Sequence, residues 1–415
     1  MSRQPTCRAC GSPLQQTFVD LGKTPLANSY LEPGQLTRPE SSFPLHARVC
    51  GSCRLVQVDD VATPDEIFSH YAYFSSYSAQ WVEHARQFAQ MATQRWGVGQ
   101  HSRVVEVASN DGYLLQHFVK MGIPVLGVEP AANVAKVAVE RGVRTEVAFF
   151  GLETAKRLVE RGDAADLVAG NNVFAHVPDI NDFTAGLAAI LKPDGVISLE
   201  FPHLLRLIEN VQFDTIYHEH FSYLSLYATE KLMARHGLKV FDVAELPTHG
   251  GSLRVMACRS ASHANPEQPG VTKIRVDESR AKLDRDEGYS GFGPRVRKVQ
   301  DDLLAFLREA KREGRTVAAY GAAAKGNTLL NTAGVTTDLI TYVVDLNPHK
   351  QGHFLPGSRL PVYAPTRIRE TKPDYVIILP WNLKDEISAQ MKEIAGWGGQ
   401  FVVAVPELRI FAAGS

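Results

Sequence analysis

The hydrophobic pattern changes character three times along the chain. Over the first 60 residues short apolar runs are broken by Pro, Gly and four cysteines, so no long element is predicted there. From about Asp65 to Trp96 the spacing predicts a helix, with Tyr71, Tyr73, Phe74 and Tyr77 near its start. From Arg103 short buried runs alternate with helical stretches. Arg103–Ala108, Pro124–Glu129, Asp166–Gly170 and Val196–Glu200 read as strands. Tyr113 to Lys120, Asn133 to Arg141 and about Asp182 to Leu191 read as helices, and Lys192-Pro-Asp-Gly195 as a turn. Alternation at this spacing predicts a mostly parallel, doubly wound sheet. It resumes later, with strands expected at Thr316–Tyr320, Ile340–Asp345, Asp374–Pro380 and Gln400–Val405. Between the two units, residues 271–315 carry 12 basic and 9 acidic side chains. Because the signs are interspersed, this stretch predicts a solvated helix connecting domains.

Composition narrows the function classes. A chain of 415 residues suits two or three domains, and 44% hydrophobic residues are enough for sizeable cores. A net charge of −1 argues against a globally basic nucleic-acid binder and against electrostatic adsorption to membranes. No apolar run reaches the ~18 residues of a membrane span, and Met1–Cys7 has no signal-peptide character, so a cytoplasmic protein is expected.

Five cysteines are too few for a disulfide scaffold, but four of them form two Cys-x-x-Cys knuckles. Cys7 and Cys10, and Cys50 and Cys53, are separated by 39 residues and predict one tetrahedral thiolate site for zinc. Four thiolates leave no open coordination position, so the metal is expected to be structural. Cys258, in an apolar strand-like stretch, reads as a core residue.

Candidate chemistry gathers at the predicted strand ends. After the first strand comes Glu106-Val-Ala108-Ser109-Asn110-Asp111-Gly112, with Ala108 and Asn110 where a glycine-rich turn would have glycines. Glu129 ends the next strand, 23 residues after Glu106, where an acid accepts ribose hydroxyls. Without a regular G-x-G-x-x-G a pyrophosphate over the turn is disfavoured, and S-adenosylmethionine fits better than NAD. Asn171 and His176 follow the strand ending at Gly170. Tyr217, His218, Glu219 and His220 follow the one ending at Glu200. Tyr217, Glu219 and His220 offer a phenol, an orienting carboxylate and a base tunable near neutral pH. His218 with His220 makes a poor metal site, for no third ligand stands nearby. In the C-terminal unit, Gly321–Asn327 lies between strand and helix, where backbone N–H groups and Lys325 suit a diphosphate.

Together with Pro25–Ser29, Tyr71-Ala-Tyr73, Asp214–His220, His249–Ser252 and Tyr320–Asn331, these motifs resemble, over almost the whole chain, the nucleotide-sugar C-methyltransferases that make branched deoxysugars. The resemblance implies an α/β chain of three parts. These are a zinc-binding domain over 1–65, a central Rossmann-like S-adenosylmethionine-dependent methyltransferase domain over 66–245, and a C-terminal Rossmann-like nucleotide-sugar domain over 246–415. It implies a TDP-linked 4-keto-deoxyhexose as substrate, methylated at the carbon beside the ketone, C3 or C5. His220 would be the base, with Tyr73, His176, Tyr217 and Glu219 lining the same site. Tyr73, His249, Ser252, Lys325 and Asn327 would bind the substrate. Two other readings compete. An NAD-dependent nucleotide-sugar dehydrogenase or epimerase would require G-x-G-x-x-G in the C-terminal unit, and a zinc-knuckle nucleic-acid binder would require a basic stripe near the knuckles. The ring carbon, the deoxysugar and the oligomeric state are left open.

Overall fold

A computed structural model describes residues 5–59, 61 and 74–412, arranged around three sheets. In the N-terminal sheet Gln16–Thr24, Phe43–Val49 and Val56–Val58 pair antiparallel. Ser222–Tyr223, from the far side of the central unit, completes it beside Val56–Val58.

The central sheet has seven strands in the order Leu238–Leu246, Ser252–Arg259, Leu191–Pro202, Ala165–Asn171, Val104–Val107, Val125–Val128 and Thr145–Glu146. All neighbours are parallel except the hairpin formed by the first two and its junction with Leu191–Pro202. Every residue of Val104–Val107 and Val125–Val128 is buried, as expected of strands covered on both faces. The expected turn at 192–195 is an interruption within one strand, because pairing jumps from Ala165 opposite Leu191 to Leu167 opposite Val196. The first strand of the hairpin escapes the sequence pattern since Lys239, Asp242 and Glu245 interrupt its apolar residues, and the hairpin carries the central sheet past residue 245.

The C-terminal sheet runs Val362–Tyr363, Val343–Val344, Val317–Tyr320, Tyr375–Ile378, Gln400–Val403 and Arg409–Ala412, parallel except for the last strand. Both parallel sheets reverse their winding at the first strand. Val104–Val107 lies between Val125–Val128 and Ala165–Asn171, and Val317–Tyr320 lies between Val343–Val344 and Tyr375–Ile378. Each reversal opens a crevice at the carboxyl ends of the strands.

The helix before the central sheet is Ala79–Trp96. The Ser78 side chain accepts from the Trp81 N–H at its start, and Gly97, at φ 64°, stops it. The helix expected from about Asp65 is not continuous over 74–78, and its expected start lies outside the described residues. Phe74 precedes Ala79–Trp96 and Tyr77 lies in a short 3-10 turn over Ser75–Tyr77, while Tyr71 and Tyr73 fall outside the described residues. The charged stretch forms two helices, Pro269–Arg280 and Phe292–Arg312, and departs from the expected solvated connector. Phe292, Val296, Val299, Leu303, Leu307 and Ala310 recur at helical spacing and are buried. Phe18 stacks on Phe292 with ring centroids 4.4 Å apart, so the long helix packs against the N-terminal sheet. Leu45 and Val56 share that apolar cluster with Val317, Val343 and Val402, whereas Cys7, Cys50 and Leu55 belong to the core of the central unit. The N-terminal module is therefore wedged between both units. No helix among the described residues is long and apolar enough to cross a membrane.

Candidate active site

The knuckles converge as their spacing predicts. The sulfurs of Cys7, Cys10, Cys50 and Cys53 all lie within 4.8 Å of one another, with Cys7–Cys53 at 3.5 Å and Cys10–Cys50 at 3.4 Å. Tetrahedral zinc with Zn–S near 2.3 Å asks for S–S edges of about 3.8 Å. N–H groups point at the sulfurs from Ser52 (3.4 Å) and Cys53 (3.5 Å) toward Cys50, and from Gln57 Nε2 toward Cys7 (3.2 Å). Such donors suit thiolates, so donor set and surroundings fit a closed structural zinc site. Cys258 is a buried thiol in a strand core.

At the central switch point, Ala108 (φ 53°), Asn110 (φ 50°) and Gly112 (φ 77°) all adopt left-handed backbone. Glycine is the natural occupant there, and Ala108 holds the geometry at a cost of roughly 1–2 kcal/mol. At Gly112 a Cβ would also stand 3.0 Å from Val143 Cγ2. Glu129 organises the turn, accepting from the backbone N–H of Asn110 through Oε2 and of Ala131 through Oε1, both at 2.9 Å. Asp111 accepts from the Ser76 hydroxyl and pairs with Arg141 at 3.0 Å. Burial raises Glu106 well above the usual carboxyl range, offset in part by the Tyr113 hydroxyl. Around this turn Asn171 Oδ1 and Nδ2, Ser109 Oγ and Asp111 Oδ1 are buried with no hydrogen-bond partner among the described residues. Unpaired buried polar atoms are costly. Concentrated at the carboxyl ends of parallel strands, they fit a polar nucleoside ligand such as S-adenosylmethionine.

The histidine cluster is one constellation. His220 Nδ1 lies 3.0 Å from the Thr215 carbonyl and therefore carries the ring proton. Its Nε2 is then an acceptor, and the Tyr217 hydroxyl donates to it at 2.7 Å. Burial, with His176 beside it, holds His220 well below the usual imidazole range, so the ring is neutral. His176 stands edge-on to it with centroids 4.5 Å apart, and burial pulls His176 down to about 4. The orienting acceptor is thus a backbone carbonyl and not Glu219, as expected above. The Glu219 carboxylate turns instead to Asn28, whose Nδ2 reaches both oxygens at 2.8 Å. Burial pushes Glu219 up to about 7, which the Asn28 amide partly offsets. His218 leaves the cluster and reaches the Pro44 carbonyl at 3.1 Å.

The expected substrate residues are divided. Lys325 Nζ donates to Asn382 Oδ1 at 2.7 Å and lies over the Trp381 ring at 4.5 Å. Trp381 Nε1 donates to Asp214 at 2.7 Å, and burial raises Asp214 to about 6, with Lys325 opposing. His249 sits beside Trp81 in left-handed backbone, at φ 55°, and is lowered to about 4 by burial and then by Lys325. Ser252 donates to the Thr248 carbonyl at 3.0 Å within its own turn, and Asn327 Nδ2 to the Ala27 carbonyl at 2.6 Å, which ties the C-terminal unit to the N-terminal segment. Tyr73 lies outside the described residues.

A second network escaped the sequence reading. Glu200 accepts from His84 (2.8 Å), Arg254 (2.8 Å) and Thr248 (2.9 Å). Burial works to raise Glu200, but these three donors bring it down to about 2. Its one sequence signal is an acid ending a buried strand.

The comparisons with known proteins agree with this layout. Residues 7–68 match a family model described as "Putative zinc binding domain", residues 81–243 a "Methyltransferase domain", and residues 247–406 a "C-methyltransferase C-terminal domain". The last match covers the segment where a dehydrogenase would hold NAD. C-methyltransferase NovU of Streptomyces niveus is 38% identical over 409 residues, which is 99% of this chain and 97% of its own. A ubiquinone biosynthesis O-methyltransferase of Bartonella bacilliformis is 25% identical over 96 residues, 23% of this chain and 39% of its own. An S-adenosylmethionine dependent methyltransferase from Mesorhizobium loti aligns over 43% of this chain and 100% of its own, at 15% identity and TM-score 0.35. With one relative matched end to end and three family models met in order, the chain belongs to the S-adenosylmethionine-dependent C-methyltransferases with an N-terminal zinc-binding domain.

Proposed function

We propose that this enzyme methylates the carbon beside the ketone of a TDP-linked 4-keto-deoxyhexose, at C3 or C5, in branched deoxysugar biosynthesis of the antibiotic type. The observation that carries the reading is the chain Tyr217 Oη–H to His220 Nε2 to Thr215 C=O. A hydrogen beside a ketone is acidic because the resulting anion spreads onto the oxygen. A buried neutral imidazole with its Nε2 lone pair directed at a phenol suits its removal. In this proposal the carbon-bound proton passes to the Tyr217 oxygen while the phenol proton moves to His220 Nε2. The products are an enolate and an imidazolium whose Nδ1–H stays on the Thr215 carbonyl. His176 lines the sugar, and His249, Ser252 and Asn327 hold the walls around it. Lys325, steadied by Asn382 and Trp381, meets the diphosphate.

When bound, S-adenosylmethionine supplies an electrophilic methyl group on a sulfonium. Glu129, Asp111, Asn110, Ser109, Gly112, Ala108, Glu106 and Asn171 are the residues assigned to hold it. We place the protein in the cytoplasm, where four cysteines stay reduced as thiolate ligands for the metal. The deciding experiment is a mass-spectrometric screen of TDP-4-keto sugars with S-adenosylmethionine, followed by NMR of the product. A methyl group on a carbon next to C4 is expected, and transfer to oxygen or nitrogen overturns the reading.

A further inference from the structure

We propose that Asn28 is a positioning residue, whose amide holds the Glu219 carboxylate on the wall of the cleft as the acceptor for a hydroxyl of the sugar ring. This rests on the sugar-methylating reading above and adds a specificity element from the N-terminal module.

The segment bearing Asn28 is fastened to the C-terminal unit on both sides. The Ala27 carbonyl accepts from Asn327 Nδ2 at 2.6 Å, and the Tyr30 hydroxyl donates to the Ala322 carbonyl. Leu31 and Phe354 exchange backbone hydrogen bonds at 2.9 and 2.8 Å. From this strap one side chain, Asn28, reaches the catalytic loop and meets both Glu219 oxygens. Asn28 is exposed, whereas Glu219 is only 5% exposed, so the pair marks where a buried carboxylate comes to the surface.

Among the described residues, Asn28 is the side chain that donates to the Glu219 oxygens. Tyr30 adjoins it as a buried phenol, and its own backbone carbonyl accepts from His176. His220, the next residue, directs its two nitrogens to Thr215 and Tyr217. No Lys or Arg among the described residues pairs with the carboxylate. A carboxylate offers about four lone-pair sites, and one amide nitrogen fills two of them. The remaining acceptor capacity in a buried site calls for a neutral donor, and a sugar hydroxyl is one.

The test uses the full-length enzyme with S-adenosylmethionine and the keto-sugar nucleotide. Asn28→Ala should raise KM for the sugar about 10-fold or more while kcat at the optimum and cofactor affinity hold. The acid limb of kcat/KM should move to higher pH, because the ionised carboxylate loses its stabilising donor. Glu219→Gln should raise KM and abolish that limb. A folded Asn28→Ala enzyme with unchanged KM and acid limb overturns the proposal, as does Glu219→Gln with wild-type KM. If the wild type turns over no keto-sugar nucleotide, the functional reading fails by itself. The Asn28 contact is then decided by carbon-13 NMR titration of the Glu219 carboxyl, identified by its loss in Glu219→Gln. A midpoint raised in Asn28→Ala keeps the contact, and an unmoved one removes it.

Discussion

The central and C-terminal units answer the same structural problem in the same way and then diverge. In each, the first parallel strand ends in a turn containing left-handed backbone, at Ala108 and Asn110 in one and at Gly321 (φ 93°) in the other. In each, the second strand leads to an acid that accepts from a turn amide and from the amide two residues beyond itself. Glu129 accepts from Asn110 and Ala131, and Asp345 accepts from Ala322 at 2.7 Å and Asn347 at 2.8 Å. The difference lies in what remains open. Around the central turn Asn171, Ser109 and Asp111 keep polar atoms with no partner among the described residues. At the C-terminal turn the Ala322 carbonyl is filled by the Tyr30 hydroxyl and by Lys350 at 2.6 Å, and among the described residues Asn327 Oδ1 keeps the unpaired polar atom. A doubly wound sheet supplies a crevice, and the side chains around it decide how much of the turn stays open to a ligand.

The zinc module leans on both units, so disturbing it should blur the contrast most. Structural zinc contributes on the order of 10 kcal/mol of binding free energy near neutral pH. Cys50→Ser should lose stoichiometric zinc by metal analysis and unfold at markedly lower temperature, with activity falling as alignment is lost. A stable, zinc-free and fully active variant would show that the module is dispensable.

Next in size is His220, which belongs to the central unit's loop. His220→Ala should lower turnover by ~10²–10⁴-fold and stop exchange of the α-hydrogen with solvent deuterium, provided the wild type exchanges it without a methyl donor, while calorimetry still shows cofactor binding. His218→Ala, whose ring faces Pro44, is the control and should exchange normally. If the two results were reversed, the base would have to be moved to His218.

The paired acids give the sharpest comparison. Glu129→Ala should weaken S-adenosylmethionine by about 1–3 kcal/mol in calorimetry, the range for hydrogen bonds to a charged group. Asp345→Ala removes the same backbone contacts from the C-terminal turn and should leave that affinity intact while lowering the melting temperature. Equal losses of affinity in both variants would break the distinction between an open turn and a filled one. The smallest effect belongs to Tyr30→Phe. It deletes one hydrogen bond to Ala322 and should cost about 1 kcal/mol of stability in denaturant titration, with cofactor affinity unchanged.

Much of this was legible along the chain. The knuckle spacing fixed the metal ligands, because Cys-x-x-Cys places two sulfurs on one tight turn wherever it folds. Largely apolar runs such as Val104–Val107, interrupted by Glu106, and Val317–Tyr320 marked parallel strands, since only a strand covered on both faces is buried at every residue. The acid at 129 and the loop at 108–112 followed from strand position alone. Other elements stayed hidden for local reasons. The edge strand 238–246 carries interrupting charges, and the charges of 292–312 mask a buried apolar stripe.

Contacts across long sequence separation were decided only by the tertiary structure. Nothing along the chain reveals that Thr215, rather than Glu219, orients His220, for neighbouring side chains leave a tight loop in different directions. Nor does the sequence show Asn28 meeting Glu219 across 191 residues, or Trp381 meeting Asp214 across 167. Residue types and short-range spacing determine which groups are available and which local turns they sit on. The pairing of donors with acceptors depends on how three sheets share their cores, and that is settled by packing the chain as a whole.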